Sequence, residues 1–525
     1  MFDIDYSRLA EQLLYQPNSP MIFSSGIFLF LFLGFTLIYN ILGKADTLRI
    51  FFVTCFSYYF YYKSSGLFFW LLALVTVSDY YIAKAIGALT EKSVSKSRGK
   101  WLVFLSLLID LSLLIYFKYT NFLGETICTL LASYGVELPS FITGSTSPDV
   151  VWQTRDIFLP VGISFFTFQS LSYTIDVYRG NIKPLNRLLD YAFYVSFFPQ
   201  LVAGPIVRAR DFIPQIRRPL MISSEMFGTG VFYIIAGLFK KAVISDYISV
   251  NFVERIFDQP DLYSGLENLL GVYGYTLQIY CDFSGYSDMA IGIALLLGFQ
   301  FPQNFNSPYK SQSITEFWRR WHISLSSWLK DYLYISMGGN RHGKLRQYFN
   351  LLMTMLLGGL WHGASLNFIL WGGAHGLLLC LDKIWHSICK VLSPLTYLPS
   401  KHNPAPGKNW FVTLLGGLLT FHLVAALWVL FRAPSFEVAQ QVFHQIFYKF
   451  QPQIFLQWCT SYAAVGSLML LGYVLHFMPQ NLSGKVRTLV TKCPLVVKAL
   501  IIVVVVFIVI QIKSSDVQPF IYFQF

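Results

Sequence analysis

Thr315-Glu316-Phe317-Trp318-Arg319-Arg320-Trp321-His322 opens a stretch that passes through Gly358-Gly359-Leu360-Trp361-His362-Gly363-Ala364 and closes on Trp371-Gly372-Gly373-Ala374-His375-Gly376. A cationic, aromatic segment comes first. A histidine inside an apolar, glycine-rich run follows it. Lysine, arginine and histidine are costly in lipid, so where they interrupt apolar runs they mark an interior or a water-filled path. The stretch predicts a base buried in a membrane protein, with a cationic approach on one side.

Working outward, the whole chain has the composition of a protein that lives in lipid. Of its 525 residues 55% are hydrophobic, 18% aromatic and 13% charged, and the mean hydropathy is +0.52. Soluble domains carry roughly 25% charged residues. Apolar runs recur along almost the full length, which predicts one polytopic membrane domain over residues 1–525. The net charge of +12 fits lysines and arginines in cytoplasmic loops. No basic tail or nucleic-acid motif accompanies it, so nucleic acid is not an expected partner. The seven cysteines form no C-x-x-C pair and read as small buried hydrophobes, without a zinc site or disulfide framework. Asp3, Asp5 and Glu11 differ from the cationic start of a cleaved signal peptide, so the run Met21 to Leu42 is expected to stay as a span.

Further runs begin near Leu48, Gly66 and Trp101, each close to the roughly 20 residues a bilayer requires. Lys92, Lys96, Arg98 and Lys100 place the loop at 91–100 in the cytoplasm; the segment 135–154, with Glu137 and Asp149 and neither Lys nor Arg, reads as external. Pro160 and Gly162 break one apolar run, and Pro199, Gly204 and Pro205 break another that feeds a basic loop with Arg208, Arg210, Arg217 and Arg218. Such breaks survive in a membrane where protein or water satisfies the freed backbone groups. Spans are expected from about Phe227 and Leu269, then near 410–431, 463–477 and 495–512, and 435–450 reads as an interfacial helix. The total is about eleven to thirteen, with re-entrant pieces.

All nine histidines lie at or after His322. His362 is the strongest base candidate. Burial favours the neutral imidazole, which can accept a proton. The bland alternative is a core histidine satisfied by a neighbouring carbonyl. Trp318, Trp321, Leu325, Trp328 and Tyr332 recur at helical spacing and predict one face of a single helix beside His322. Arg319, Arg320 and Lys330 lie off that face. The arginines suit the phosphates of a nucleotide-like donor, through forked charge-assisted bonds, or simple membrane anchoring. His362 and His375 would point to different sides of one straight helix, which Gly372-Gly373 can interrupt, so they are not paired as metal ligands and no metal is expected. Asp282 and Asp288, inside an apolar run, should face the interior, either as path lining or as helix-packing hydrogen bonds. No H-E-x-x-H, G-x-S-x-G, Walker loop or G-x-G-x-x-G occurs.

Six segments between residues 159 and 376 together resemble the membrane-bound O-acyltransferase (MBOAT) family, in particular its bacterial branch that acetylates alginate and peptidoglycan. They are the run Leu159-Pro160-Val161-Gly162-Ile163-Ser164-Phe165-Phe166-Thr167-Phe168-Gln169, then Asp176-Val177-Tyr178-Arg179-Gly180, and Phe198-Pro199-Gln200-Leu201-Val202-Ala203-Gly204-Pro205-Ile206-Val207-Arg208. Asp282-Phe283-Ser284-Gly285-Tyr286-Ser287-Asp288, Phe317-Trp318-Arg319-Arg320-Trp321-His322 and Gly359-Leu360-Trp361-His362-Gly363 complete the set. Any one alone is weak. Six in the family's order are specific, and they favour functional readings of His362 and His322.

The resemblance implies an all-α polytopic fold of helices ringed around a thinned centre with a tunnel, and a motif-bearing core at 159–376. It implies O-acetyl transfer, with acetyl-CoA as a substrate on the cytoplasmic side near Trp318, Arg319 and Arg320 and no permanently bound cofactor. His362 matches the family's tunnel histidine and His322 its second histidine. Asp331 and Asn340 are candidates by their place in the motif alone. The implied acceptor is a hydroxyl on a periplasmic acetyltransferase partner that then modifies a cell-envelope polysaccharide, with the enzyme in the bacterial inner membrane. Three rivals stay open. These are a D-alanyl transferase acting on teichoic acid from a carrier-protein thioester, a polymer transporter or flippase without chemistry, and a scaffold for an export complex.

Overall fold

Long apolar runs without water must satisfy their backbone within the segment, which leaves the α-helix as the available answer. The computed structural model describes residues 11–17, 20–91, 96–136, 138–144, 152–392 and 410–512, and every regular element among them is helical. Asp3, Asp5, Lys92, Glu137, Asp149 and His402 lie outside the described residues. Two units divide the chain. One is built mainly from residues up to Leu220 and takes Gly363–Ser365; the other runs from Met221 to His362 and resumes at Leu366.

The first unit contains α1 (Gly26–Ile41), α2 (Asp46–Ser65), α3 (Phe69–Glu91), α4 (Lys96–Leu114), α5 (Thr120–Ser133), α6 (Ile163–Arg179) and α7 (Leu188–Ser196). The two proline- and glycine-broken segments of the sequence meet here. Gly162 caps the start of α6 at φ +75, and a Cβ on it would lie 2.6 Å from the carbonyl oxygen of Leu201 in the second broken segment. Only glycine allows both the left-handed backbone and that approach. Arg217 of the basic loop forks onto Asp190, with Nε and a terminal nitrogen 2.8 and 2.6 Å from the two carboxylate oxygens.

The second unit is organised around α9 (Gly265–Leu296), which is buried on nearly all sides. Its 32 residues span about 48 Å at 1.5 Å per residue, well beyond a hydrocarbon core of about 30 Å. A capping box of Ser264 and Glu267 fixes its start. Against it lies α8 (Ser224–Leu238), extended by wide π-helical turns at Phe239–Ser245 and Ser249–Val253. Then come the short α10 (Ile314–Arg320) and α11 (Ile323–Trp328), the antiparallel pair α12 (Gly343–His362) and α13 (Leu366–Leu392), and α14 (Trp410–Arg432). The segment at 435–450 folds as α15 (Phe436–Tyr448), capped by Ser435 and laid against α9 through Ala439, Val442 and Gln445. The chain continues through α16 (Ala463–Phe477), α17 (Gln480–Lys492) and α18 (Leu495–Ile512).

By length and composition, four described helical runs can cross a membrane: Asp46–Leu89, Ser97–Ser133, Ser224–Asp258 and Trp410–Arg432. Two bent pairs, turned by 98° and 115°, bring the number to six if each is one span. The apolar runs behind the larger count of eleven to thirteen include those that fold as the shorter α1, as α6 and as α9.

Candidate active site

The organising stretch departs from one predicted continuity and one predicted break. The aromatic stripe from Trp318 to Tyr332 is not one helix face. α10 stops at Arg320, Trp321 is extended, His322 turns left-handed at φ 42 and ψ 56, and α11 starts at Ile323. The reason is a pairing that periodicity cannot reveal: the Ile323 amide donates to the Asn304 carbonyl at 2.9 Å, and the Asn306 amide donates to the Arg320 carbonyl at 2.9 Å. A left-handed non-glycine residue costs about 1–3 kcal/mol and persists where its surroundings hold it. The second correction concerns His362 and His375. Gly372-Gly373 does not interrupt a helix; α13 runs through both, and the break falls at Gly363–Ser365.

The glycines do something else. A Cβ on Gly359 would lie 2.2 Å from the Phe368 carbonyl oxygen, and one on Gly372 would lie 2.3 Å from that of Met355. α12 and α13 therefore cross backbone to backbone at this pair, as small residues allow in membrane helices. One turn beyond each glycine sits a histidine, His362 on α12 and His375 on α13. The crossing brings both to the same wall although neither shares a straight helix with the other.

That wall alternates imidazole and indole rings. His322 lies 6.5 Å from Trp361 between ring centroids, and Trp361 lies 4.9 Å from His362. Trp371 stands 5.1 Å from His362 and 4.8 Å from His375. His375 meets Trp318 at 5.1 Å. Phe431 of α14 closes against His362 at 5.1 Å, and Trp428 stacks behind Trp371 at 5.7 Å. His322, His362 and His375 are 0%, 3% and 0% exposed, so water does not compete for their nitrogens. The Trp318 indole nitrogen donates to His375 Nδ1 at 3.3 Å. Indole nitrogen is a donor only, so the neutral His375 ring carries its proton on Nε2.

His322 is held from a different side. Its Nδ1 lies 3.3 Å from the side-chain oxygen of Asn304, which also accepts from the Ser324 amide at 3.1 Å and the Ser324 hydroxyl at 2.9 Å. Phe283, within the Asp282–Asp288 motif, meets the imidazole edge-to-face at 4.5 Å. Asn304 carried no sequence signal, since it stands in Gln303-Asn304-Phe305-Asn306 without a recognisable motif.

The remaining candidates divide by what they touch. Arg320 is committed: its Nε and a terminal nitrogen sit 2.9 and 2.8 Å from Glu316 Oε1, and a further nitrogen donates to the Asn306 carbonyl at 3.2 Å. Arg319, next to it, is exposed. Trp318 turns its polar atom inward to His375. Asp331 is half-buried in the π-helical turn Leu329–Tyr334, and Asn340 is exposed in the following loop. Asp282 lies 2.5 Å from Lys241 Nζ, which also meets Asp246 at 2.7 Å, and Asp288 lies 2.6 Å from Lys240. The structure thus gathers His322, His362 and Trp318 on the aromatic wall and puts both aspartates in ion pairs.

Buried imidazoles beside a glycine crossing, in an all-helical protein with helices long and apolar enough to cross a membrane, place the site away from bulk water. A model of the MBOAT, membrane-bound O-acyltransferase family, matches residues 54–425, and the chain belongs to that family. It is an O-acyltransferase and a multi-pass membrane protein. It is 40% identical over 430 residues to a probable alginate O-acetylase of Pseudomonas aeruginosa, covering 81% of this chain and 75% of that protein. It is 36% identical over 402 residues to a peptidoglycan O-acetyltransferase of Helicobacter pylori, covering 71% and 68%. A teichoic acid D-alanyltransferase of Bacillus subtilis is 29% identical over 333 residues, covering 60% of this chain and 78% of that protein.

Proposed function

We propose that this enzyme moves acetyl groups from cytoplasmic acetyl-CoA across the bacterial inner membrane to hydroxyls of an extracytoplasmic polysaccharide of the alginate or peptidoglycan kind, through a periplasmic partner protein. The observation that carries the reading is His362, 3% exposed and walled by Trp361, Trp371 and Phe431. The acetylating relatives, at 40% and 36% identity, support acetyl over other acyl groups.

In the reaction an acceptor hydroxyl oxygen attacks the thioester carbonyl. The new C–O bond forms, the C–S bond breaks, the hydroxyl proton passes to His362, and coenzyme A leaves as the thiol once a proton returns to sulfur. A positioned base of this kind contributes on the order of 10²–10⁴-fold. The apolar wall excludes water, which would otherwise hydrolyse the thioester. His322 orients the donor or supports His362. Arg319, exposed at the end of α10, is the arginine with its guanidinium available to donor phosphates.

Radiolabel transfer from acetyl-CoA by protein in nanodiscs, with and without a periplasmic extract, tests the proposal. Wild-type protein should carry label to a component of the extract, and His362→Ala should not while remaining folded. No transfer by folded wild-type protein moves the weight to a carrier-protein thioester donor, as in the D-alanyl relative, or to transport without chemistry. Substantial activity in His362→Ala overturns the base assignment.

A further inference from the structure

We propose that Asn304 is the positioning residue of this site: its side-chain carbonyl holds the proton of His322 on Nδ1 and so makes Nε2 the basic nitrogen. The significance of that nitrogen rests on the acyltransferase reading above; the hydrogen bonding does not.

The assignment follows from the neighbours. The Ser324 backbone amide can only donate, and it points at the side-chain atom of Asn304 from 3.1 Å, so that atom is the carbonyl oxygen and the amide is not flipped. At the other end, the amide nitrogen lies 3.1 Å from the Ser287 hydroxyl on α9, which can accept from it. His322 Nδ1 faces the same oxygen at 3.3 Å; the Ser324 hydroxyl, 3.5 Å from Nδ1, gives its hydrogen to that oxygen at 2.9 Å and so presents its own oxygen to the ring. Two lone pairs would repel there, whereas Nδ1–H against the carbonyl attracts. The neutral ring can hold one proton, so Nε2 is left with its lone pair.

Asn304 also fixes where that nitrogen sits. Its backbone carbonyl takes the Ile323 amide at 2.9 Å and its side chain takes the Ser324 amide, so one residue grips both positions after His322. The left-handed turn at His322 is one of only two positive-φ non-glycine residues among those described. Phe283 and Phe305 flank the ring, at 4.5 and 6.2 Å between centroids. Tautomer, backbone turn and ring plane are set together, which is how the partner of a working histidine ordinarily acts.

The test reads the tautomer first. In protein labelled with ¹⁵N-histidine, the signals lost in His322→Gln identify His322. The expected pattern is a protonated Nδ1 and a bare Nε2; a proton on Nε2 in the wild-type protein overturns the proposal without any variant at position 304. Asn304→Leu keeps the volume and removes the acceptor. It should redistribute the tautomers and lower kcat for acetyl transfer on the order of 10²-fold, with KM for acetyl-CoA within about threefold of wild type. Asn304→Asp restores an acceptor at Nδ1, and the Ser287 hydroxyl can turn to donate to it, so at least about a tenth of the wild-type kcat should return. A folded Asn304→Leu protein with kcat within about threefold of wild type overturns the assignment. If wild-type protein shows the expected tautomer yet moves no acetyl, the function proposed above fails and the assignment stands.

Discussion

Around Lys241 the protein sets whole charges against one another: two lysines meet three aspartates, Asp246 and Asp282 flanking the buried Lys241 and Asp288 holding Lys240, at 2.5–2.7 Å. Around His362 it buries imidazoles among indole and phenyl rings. Both regions lie in the second unit, and α9 serves both, through Asp282 to the first and the adjacent Phe283 to His322. A matched buried pair resists any change of protonation, because removing either charge strands the other. A neutral imidazole in an aromatic wall strands no opposite charge when it takes up a proton, although burial makes the charged form costly and so short-lived. The first arrangement suits holding helices together; the second suits chemistry.

Single substitutions should separate the two regions by which property fails. The largest effect is expected at His362. Alanine there should lower transfer on the order of 10²–10⁴-fold, while the thermal midpoint and detergent elution profile stay near wild type. Lys241→Met should do the reverse. It leaves Asp246 and Asp282 facing each other in the interior, and breaking a buried pair in this way costs about 3–5 kcal/mol. The expected reading is a lowered midpoint and poor recovery from membranes, with residual activity following the amount of folded protein. If Lys241→Met is stable but inactive, the charged cluster belongs to the reaction and the contrast fails.

A smaller effect probes what joins α12 to α13. Gly372→Ala would set a Cβ 2.3 Å from the Met355 carbonyl oxygen, so the helices must separate at the crossing. Overpacking of this kind costs about 1–3 kcal/mol. His362 and His375 stand one turn from the crossing, so activity should fall by more than the loss of folded protein accounts for. Equal losses in both measurements would mean that the crossing supports stability alone.

Gly358-Gly359 beside His362 are legible as a place where another backbone can come close, but the sequence reads Gly372-Gly373 as a break in a helix, and that Gly372 is the partner of Gly359 is visible only in the structure. The sequence also makes the membrane class legible, and it singles out His362 and His322 as candidates. The break at Trp321–His322 is not legible, since aromatic spacing continues across it and the cause lies in Asn304 and Asn306, which sequence periodicity does not connect. Two pairings carry signals in the sequence. Glu316 and Arg320 are four apart on one helix, and Lys240-Lys241 interrupts an apolar run as conspicuously as Asp282 and Asp288 do. Buried charges of opposite sign on neighbouring spans ask to be matched before either is read as path lining.

The same distinction between committed and available charge gives the smallest prediction, at the end of α10. Arg319 and Arg320 are adjacent in sequence and were equivalent as phosphate ligands until the structure separated them. Arg320 spends its guanidinium on Glu316 and the Asn306 carbonyl, so it braces the joint before His322. Arg319 is exposed at that joint. A hydrogen bond to a charged group contributes about 1.5–3 kcal/mol at best, and less where solvent screens it. Arg319→Gln should therefore raise KM for acetyl-CoA by no more than about tenfold, by an amount that shrinks as salt is added, and leave kcat nearly unchanged. Arg320→Gln should instead lower the thermal midpoint and kcat, because the turn that presents His322 loses a brace. The measurement is the full dependence of initial rate on donor concentration for both variants at low and high salt. Equal, salt-sensitive rises in KM would show that Arg320 can leave Glu316 to meet the donor, and pairing in the resting structure would then be no guide to which cations are free to act.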